Sequence, residues 1–275
     1  MKTIQVNNPH LFKIPKVKIV KGRIDFVLEK CKGKKVLHLG CVDEGLTIER
    51  FKKGQLMHLK LMKVAKEVWG VDISKEGIKF LQEEGINNII YGDVEHLDSI
   101  KKLQEEKYDI ILASEIIEHL NNPGLFLQST KKLFSSNTKM IITAPNAFRI
   151  TGRMDYIKGY EFVHPDHNYW FSWKTLSTLL MKNGYIIDEI YTYSFVDHEK
   201  SILKGVIKKI FSRNKKNSQT NICQESTSKK NVFRITDRIK TIMDILMRRY
   251  LYKKNPFFAD GIIAIVKPGE LNKNE

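Results

Sequence analysis

Acidic and histidine side chains cluster in a short segment that follows an apolar run. Glu115, Glu118 and His119 are spaced i, i+3 and i+4, which predicts that all three lie on one face of a helix. His164 and His167 follow in a later polar loop, which we expect to close over the same pocket. Carboxylates and imidazoles gathered in this way can move a proton or bind a metal ion.

Three interpretations of this cluster follow from the residue types. In the first, a divalent cation (Mg²⁺, Mn²⁺ or Zn²⁺) that chelates acceptor hydroxyls is bound by four side chains: Glu115, Glu118, His119 and His167. In the second, no metal takes part, and His119 or His167 is a general base that removes a hydroxyl proton. In the third, Glu118 and His119 only bond the neighbouring loop. The spacing alone leaves the three interpretations open.

The elements that must position this cluster are strands that end in polar or glycine residues. The apolar run Val36–Leu39 stops at Gly40, where a missing Cβ allows a sharp turn and close approach to a ligand. Two later strands end at Asp72 and just before Asp93. In a doubly wound parallel sheet such strand ends line one crevice. An acid there can accept hydrogen bonds from ribose hydroxyls, and a second can accept from an adenine amine.

In order and spacing these segments resemble class I S-adenosylmethionine-dependent methyltransferases, over residues 24–193 and again over 257–267. The resemblance implies a seven-stranded, doubly wound, Rossmann-like α/β fold with a helical insertion before the last strand. It also implies that S-adenosyl-L-methionine is the cofactor. The residues that it assigns to the cofactor site are His38, Gly40, Cys41, Val42, Asp72, Ile73, Asp93, Val94 and Ser114.

Two residues depart from the family pattern. His38 stands where the family usually has an acid that helps to hold the cofactor's ammonium group, and Val42 stands where it has a second glycine. A neutral imidazole could accept one hydrogen bond, whereas a charged one would repel the ammonium. Val42 predicts ordinary backbone dihedrals in the turn. A nicotinamide-binding fold fits less well, because the chain has no G-x-G-x-x-G.

The pattern of apolar residues predicts alternating strands and helices. The predicted strands are near 35–39, 67–71, 88–91, 108–113, 138–144, 185–193 and 258–266. The predicted helices are near 23–31, 54–65, 75–84, 97–105, 123–134 and 173–182. The predicted division of the chain is an N-terminal extension (1–22), a methyltransferase core (23–196), an insertion (197–255), a final core strand (256–268) and a tail (269–275).

The insertion 197–255 carries most of the positive charge. It holds 16 Lys or Arg and five Asp or Glu, so 11 of the chain's 16 net positive charges lie there. Apolar residues recur at helical spacing in two parts of it, separated by a polar run over 213–231 that is typical of a disordered linker. The insertion is either a helical lid on the core or a basic surface that contacts an anionic membrane.

Composition bounds the setting of the protein. The 275 residues include only three cysteines and no C-x-x-C pair, which suits a reducing compartment rather than a disulfide framework. No apolar signal core and no run of membrane-span length occurs. We therefore predict a soluble, cytoplasmic protein, with peripheral contact at the inner membrane face through 197–255.

The acceptor is predicted from resemblance alone. The chain looks most like bacterial methyltransferases linked to surface-polysaccharide biosynthesis, which implies O-methylation of a hydroxyl on a sugar or glycan intermediate. The E-x-x-E-H segment also resembles metal-dependent 2′-O-methyltransferases of small RNA and ubiquinone-biosynthesis O-methyltransferases. A nucleic-acid partner is less favoured, because the basic charge is concentrated in an amphipathic segment. The remaining alternative is a binding protein that kept the fold but lost catalysis.

Overall fold

The computed structural model describes residues 5–6, 8–43, 45–150, 156–157, 159–194, 243 and 245–269. Its strands, in chain order, are β1 (Gln5–Val6), β2 (Asn8–Phe12), β3 (Lys18–Lys21), β4 (Lys35–Leu39), β5 (Glu67–Asp72), β6 (Ile89–Tyr91), β7 (Ile110–Ser114), β8 (Lys139–Pro145), β9 (Tyr185–Ser194) and β10 (Gly261–Pro268). All seven predicted strands are present, as β4 to β10.

The central sheet has eight strands in the order β3-β9-β10-β8-β7-β4-β5-β6. Strand β10 is antiparallel to both β8 and β9, and the other pairings in the sheet are parallel. The order reverses at β4, so the carboxyl ends of β4, β5 and β7 meet at a topological switch point. The predicted Rossmann-like fold is therefore confirmed.

The eighth strand, β3, was not predicted. It lies in the segment 1–22 and runs parallel to the edge strand β9, with Val20 opposite Tyr193. Its four residues, Lys-Ile-Val-Lys, are too few to carry an alternating pattern, so the pairing with β9 decides its conformation. Strands β1 and β2 form a separate two-stranded sheet.

Helices cover both faces of the sheet: α1 (Arg23–Cys31), α2 (Thr47–Lys52), α3 (Met57–Met62), α4 (Lys75–Glu83), α5 (Lys101–Gln104), α6 (Pro123–Thr130) and α7 (Trp173–Lys182). The 3₁₀ turns are Val94–Ser99, Lys131–Leu133 and Pro256–Phe258, and residues 245–254 are also helical. Side chains that accept backbone N–H groups begin three of the helices: Ser74 for α4, Asn122 for α6 and Ser172 for α7.

Three helix predictions were wrong in extent. The helix predicted over 54–65 is only the six-residue α3, and α2 before it was missed. The helix predicted over 97–105 is a 3₁₀ turn followed by α5, and the one over 123–134 ends at Thr130 in another 3₁₀ turn. The last of these differences lies at a helix end, where boundaries are least certain. The other two concern whole short elements of four to six residues, which are too short to show a helical period.

The core explains why the central strands are continuous apolar runs. Ile111, Leu112 and Ala113 in β7 are all fully buried, as are Met140 and Ile142 in β8. A parallel strand with helices on both faces has no solvent side, so both of its faces must be apolar. The rigid sheet holds the strand ends in place.

The insertion lies largely outside the described residues, so its predicted helices and linker stay predictions except near its end. In the helical residues 245–254, Ile245 is buried, while Leu246, Met247 and Tyr250 are exposed. No helix among the described residues is long and apolar enough to cross a membrane.

Candidate functional site

The turn after β4 requires its glycine. Gly40 has φ +67°, and a Cβ at this position would lie 2.7 Å from the Ile116 Cδ1 atom. Its N–H donates to the Val71 carbonyl oxygen of the neighbouring strand at 2.9 Å. The chain can therefore leave the sheet sharply while Ile116 packs against its backbone.

Asp72 holds the next residues of this turn from the end of β5. One carboxylate oxygen accepts the Val42 N–H at 2.8 Å and the other accepts the Ser74 N–H at 2.9 Å. Val42 packs over Gly77 of α4, where a Cβ would lie 2.2 Å from Val42 Cγ1. Among the described residues, Glu115 is the one non-glycine residue with a positive φ. Val42 therefore has a negative φ, which confirms the prediction of an ordinary backbone conformation there.

Two neighbouring cavities open at these strand ends. One, of ≈ 280 Å³, is lined by Ile73, Asp93 and Val94; the other, of ≈ 520 Å³, is lined by a second set of predicted residues, His38, Cys41, Val42 and Ser114. Both are also lined by Gly40, Asp72, Ile116 and His119. All nine residues predicted for the cofactor therefore line one or both cavities.

The smaller cavity has the character of a nucleoside site. Asp72 lies at its wall, only 8 % exposed, and Asp93 accepts the Glu95 N–H at 2.8 Å through one carboxylate oxygen. Glu95 in turn accepts the Asn122 N–H at 2.9 Å, which joins this wall to the start of α6. A carboxylate that accepts one backbone N–H group on each oxygen has further lone pairs, which can accept hydrogen bonds from a ligand.

The larger cavity contains a cation that the sequence did not reveal. Arg23 begins α1 and donates through Nη1 to the Ser114 hydroxyl and, at 3.4 Å, to the Thr143 hydroxyl. Its guanidinium lies 5.8 Å from the centre of the Tyr193 ring. A guanidinium in a partly buried pocket suits a ligand carboxylate. A lone arginine at a helix start carries no sequence signal for this role.

His38 is neutral in this cavity. It is 2 % exposed, and burial, with electrostatic coupling to His58 and the charge of Arg23, lowers its pKa well below the usual value. Its Nδ1 atom lies 3.3 Å from the Nδ1 atom of His58, which is also buried. His58 in α3 was not predicted as a site residue.

Glu115 and Glu118 do not lie on a helix face, so that prediction was wrong. The chain turns at residues 115–119, and Glu115 has φ 54°. One oxygen of Glu115 accepts from the Thr143 hydroxyl at 2.7 Å and from the Tyr193 hydroxyl at 2.9 Å. Two isoleucines between the acids pack elsewhere, with Ile117 fully buried and Ile116 against the glycine turn. Their packing overrides the helical spacing.

Glu118 is completely buried. Neither of its carboxyl oxygens has a hydrogen-bond partner within the described part of the protein. Burial, together with the charge of Glu115, raises the pKa of Glu118 to about 9, so the group is protonated at neutral pH. Its backbone carbonyl accepts from the Asn168 and Tyr169 N–H groups at 2.8 and 3.1 Å. Glu118 therefore anchors the loop that carries the later histidines.

That loop brings His164 and His167 to His119. Among the described residues, these three form the group whose potential metal-binding atoms all lie within 4.8 Å of one another; neither Glu115 nor Glu118 joins them. The ring centres of His119 and His167 are 4.6 Å apart. The loop therefore closes over the segment 115–119 as predicted, but the side chain that joins His119 and His167 is His164 rather than Glu115 or Glu118.

His119 has a defined tautomer. Its Nδ1 atom lies 3.1 Å from the Asp166 carbonyl oxygen, which can only accept, so Nδ1 carries the proton and Nε2 has a free lone pair. Burial lowers the pKa of both His119 and His167, which keeps both rings neutral at pH 7. A neutral imidazole with a lone pair can accept a proton or bind a metal ion.

Known proteins resemble this chain over its core. Residues 17–190 match the family model described as a methyltransferase domain. A ubiquinone biosynthesis O-methyltransferase from Pelagibacter ubique (strain HTCC1062) is 25% identical over 175 residues, which cover 62% of this chain and 65% of that protein. One from Glaesserella parasuis serovar 5 (strain SH0165) is 27% identical over 120 residues, covering 42% of this chain and 46% of that protein. The matches thus span less than two thirds of these relatives' length.

Solved structures with similar folds include a SAM dependent methyltransferase from Archaeoglobus fulgidus. It has a TM-score of 0.47 at 19% identity and covers 90% of this chain and 95% of that chain. The small RNA methyltransferase HEN1 has a TM-score of 0.49 at 17% identity, covering 90% of this chain and 25% of that chain.

Proposed function

We propose that this chain, which belongs to the methyltransferase domain family, is a SAM-dependent methyltransferase that methylates a hydroxyl group of a small-molecule acceptor. The observation that carries this proposal is the lone pair of His119 Nε2 at the junction of the two cavities. A base at that junction lies beside both the nucleoside cavity and the larger cavity, where an acceptor can enter.

The polar groups that line the cavities fit S-adenosylmethionine. Asp72 and Asp93 supply acceptors for ribose and adenine, and Arg23 supplies a cation for the carboxylate. The cofactor itself supplies an activated methyl group. The protein's task is then to align the acceptor hydroxyl and exclude water.

His119 is the proposed general base. The Asp166 carbonyl oxygen holds its Nδ1–H, so Nε2 is the atom that takes the hydroxyl proton. The lowered pKa keeps Nε2 unprotonated at neutral pH. His167 packs edge-on against this ring and restricts its orientation.

A divalent cation is the second proposed role for the same histidines. Three imidazoles whose ligand atoms lie within 4.8 Å of one another favour Zn²⁺ or Mn²⁺ over Mg²⁺, which prefers oxygen ligands. The Nδ1 atom of His167 has no hydrogen-bond partner among the described residues, so no protein group there competes with a cation for its lone pair. In this form the cation would lower the pKa of the acceptor hydroxyl, and His119 would bind the cation rather than take the proton.

The acceptor class that we favour is an aromatic alcohol. Two relatives are named for ubiquinone biosynthesis, and aromatic side chains adjoin the histidines. Trp170 lies 5.9 Å from His167 between ring centres, and Tyr169 is partly exposed beside it. The sugar hydroxyl and the RNA 2′-hydroxyl expected from resemblance stay predictions.

The basic segment supports contact with an anionic surface. Most of the net charge lies in 197–255, and the described end of that segment places Leu246 and Tyr250 in solvent beside basic residues. A peripheral contact with a membrane would suit an acceptor that partitions into lipid. A cytoplasmic location stays a prediction.

The first experiment is calorimetric titration with S-adenosylhomocysteine (SAH), with and without Mn²⁺. Methyl transfer from labelled cofactor is then measured with three acceptors: a catechol, a nucleotide sugar and an RNA 3′ end. We expect micromolar SAH binding and transfer to the catechol alone. Transfer only to the sugar or only to RNA would contradict the aromatic assignment, and no transfer to any hydroxyl would contradict O-methylation.

Variants separate the base from the cation. His119→Asn should lower the transfer rate roughly 100-fold, while His96→Asn, which changes an exposed histidine, should not. If the purified protein contains no bound metal and its transfer rate is unchanged by a chelator, the general base is supported. Stoichiometric Zn²⁺ or Mn²⁺, lost in His164→Ala together with activity, would support the cation.

A further inference from the structure

Two buried imidazoles connect the larger cavity to a separate cavity beside α3. His38 in β4 lines the cofactor cavity, and His58 in α3 lines a cavity of ≈ 390 Å³ together with Lys66, Asn87 and Asn88. The two side chains are 2% and 0% exposed. Their rings are nearly parallel, with centres 5.6 Å apart, and their Nδ1 atoms are 3.3 Å apart.

A hydrogen bond between two Nδ1 atoms requires one proton between them. Either His38 Nδ1–H donates and its Nε2 has a lone pair, or His58 Nδ1–H donates and His38 Nε2 carries a proton. Burial keeps both rings neutral, so a second proton is excluded. The tautomer of one ring therefore determines the tautomer of the other.

We propose that His58 is a positioning residue that accepts the Nδ1–H of His38 and thereby makes His38 Nε2 the acceptor for the ammonium group of the bound cofactor. The assignment follows from charge. Arg23, which lines this cavity, suits the cofactor's carboxylate, whereas the other lining arginine, Arg50, is paired with Asp43. The ammonium group needs a lone pair, and a His38 Nε2 atom that carried a proton would repel it.

This tautomer places the remaining proton of His58 on Nε2. That atom is buried and has no partner among the described side chains and backbone. Asn87 and Asn88 line the neighbouring cavity with His58, but Nε2 is not exposed to it. The charge of the ammonium group, rather than a partner at Nε2 of His58, therefore selects the tautomer.

Gly70 makes room for the pair. It lies opposite His38 in the sheet, and a Cβ there would lie 3.0 Å from His58 Cε1 and 2.6 Å from Cys41 Sγ. A larger residue would therefore crowd both Cys41 and the His58 ring. The glycine has no positive φ, so space rather than backbone conformation explains its presence.

The test compares SAH with its desamino analogue, which lacks only the ammonium group. His58→Leu should weaken SAH binding by calorimetry about tenfold and leave the affinity for the analogue nearly unchanged. His96→Leu is the matched control for an exposed histidine. A purely structural role would weaken both ligands equally, and that result would overturn the proposal. The inference does not depend on the acceptor, so failure of the acceptor assignment leaves it intact.

A spectroscopic measurement on the native protein tests the same proposal without relying on His58→Leu being correctly folded. Nitrogen-15 NMR of labelled histidines distinguishes a protonated from an unprotonated ring nitrogen. In the SAH complex we expect His38 protonated at Nδ1 and His58 protonated at Nε2. His38 protonated at Nε2 in that complex would overturn the proposal.

Discussion

At the scale of single residues, Asp72 has two tasks. Its two oxygens accept the N–H groups of Val42 and Ser74, so the carboxylate holds the glycine turn in place. The same carboxylate lines both cavities. The sequence indicates the position of this acid, because Asp72 ends an apolar strand. It does not indicate the two hydrogen bonds by which Asp72 holds the turn.

We expect Asp72→Asn to weaken SAH binding roughly tenfold or more, because an amide has one acceptor oxygen and replaces the other with a donor. Calorimetry measures the affinity. The control is Glu83→Gln, an exposed acid at the end of α4. Equal affinity of Asp72→Asn and the native protein would remove Asp72 from the site.

His58 predicts how stability depends on pH. Burial lowers its pKa from 6.5 in the unfolded chain to about 4 in the folded protein. Between these values the unfolded chain binds a proton that the folded protein does not, so stability falls as the pH drops from 6.5 towards 4. Above that window the group has no effect, and below it the loss is complete.

The expected loss from His58 is at most about 3 kcal/mol. Urea unfolding at several pH values measures it in the native protein and in His58→Leu. The variant should have a flatter stability profile between pH 6.5 and 4. Parallel profiles for the two proteins would mean that His58 is already accessible to protons in the folded state.

At the scale of elements, two turns shape the site in different ways. The turn at Gly40 follows from one glycine after an apolar run, and the sequence predicts it. The turn at residues 115–119 contains a non-glycine residue with φ 54°, although the spacing predicts a helix. It is held by hydrogen bonds from Thr143 and Tyr193 to Glu115, which come from distant strands.

Gly40→Ala and Gly33→Ala form a matched pair that separates backbone strain from the site. Both glycines have φ +67°, but a Cβ at Gly33 meets nothing within 4 Å. Each variant should lose about 1–2 kcal/mol of stability by denaturant unfolding. Only Gly40→Ala should lose SAH affinity, because Ile116 must move from the cavity wall. Equal affinities would show that the turn tolerates a methyl group.

At the scale of the whole molecule, charge is divided between a nearly balanced core and a basic segment. Of the 16 net positive charges, 11 belong to 197–255. The described end of that segment is helical over 245–254 and exposes Leu246, Met247 and Tyr250. Apolar and basic residues exposed together are typical of a helix that lies on an anionic surface.

We expect the protein to sediment with vesicles of phosphatidylglycerol and phosphatidylcholine at low salt, and to be released as salt screens the charges. Replacing four basic residues of this helix with Gln should reduce binding roughly tenfold or more: Arg248, Arg249, Lys253 and Lys254. The control replaces four exposed lysines elsewhere: Lys13, Lys16, Lys32 and Lys34. Equal losses in both variants would indicate a general charge effect rather than a surface on this helix.

The sequence by itself determined the sheet and the crevice at its strand ends. Buried parallel strands must be apolar on both faces, so the runs that became β4, β5, β7 and β8 stand out from their polar surroundings. Because parallel strands end at the same edge, Gly40, Asp72 and Asp93 could be assigned to one crevice before any coordinate was known.

Only the tertiary structure decided which polar side chains meet. Arg23 reaches Ser114 across 91 positions of sequence, and Gly70 leaves space for the His58 ring that meets His38. His119 joins His164 through a loop anchored on the Glu118 carbonyl. Such contacts depend on how distant elements pack together, and a local pattern of residues does not specify that packing.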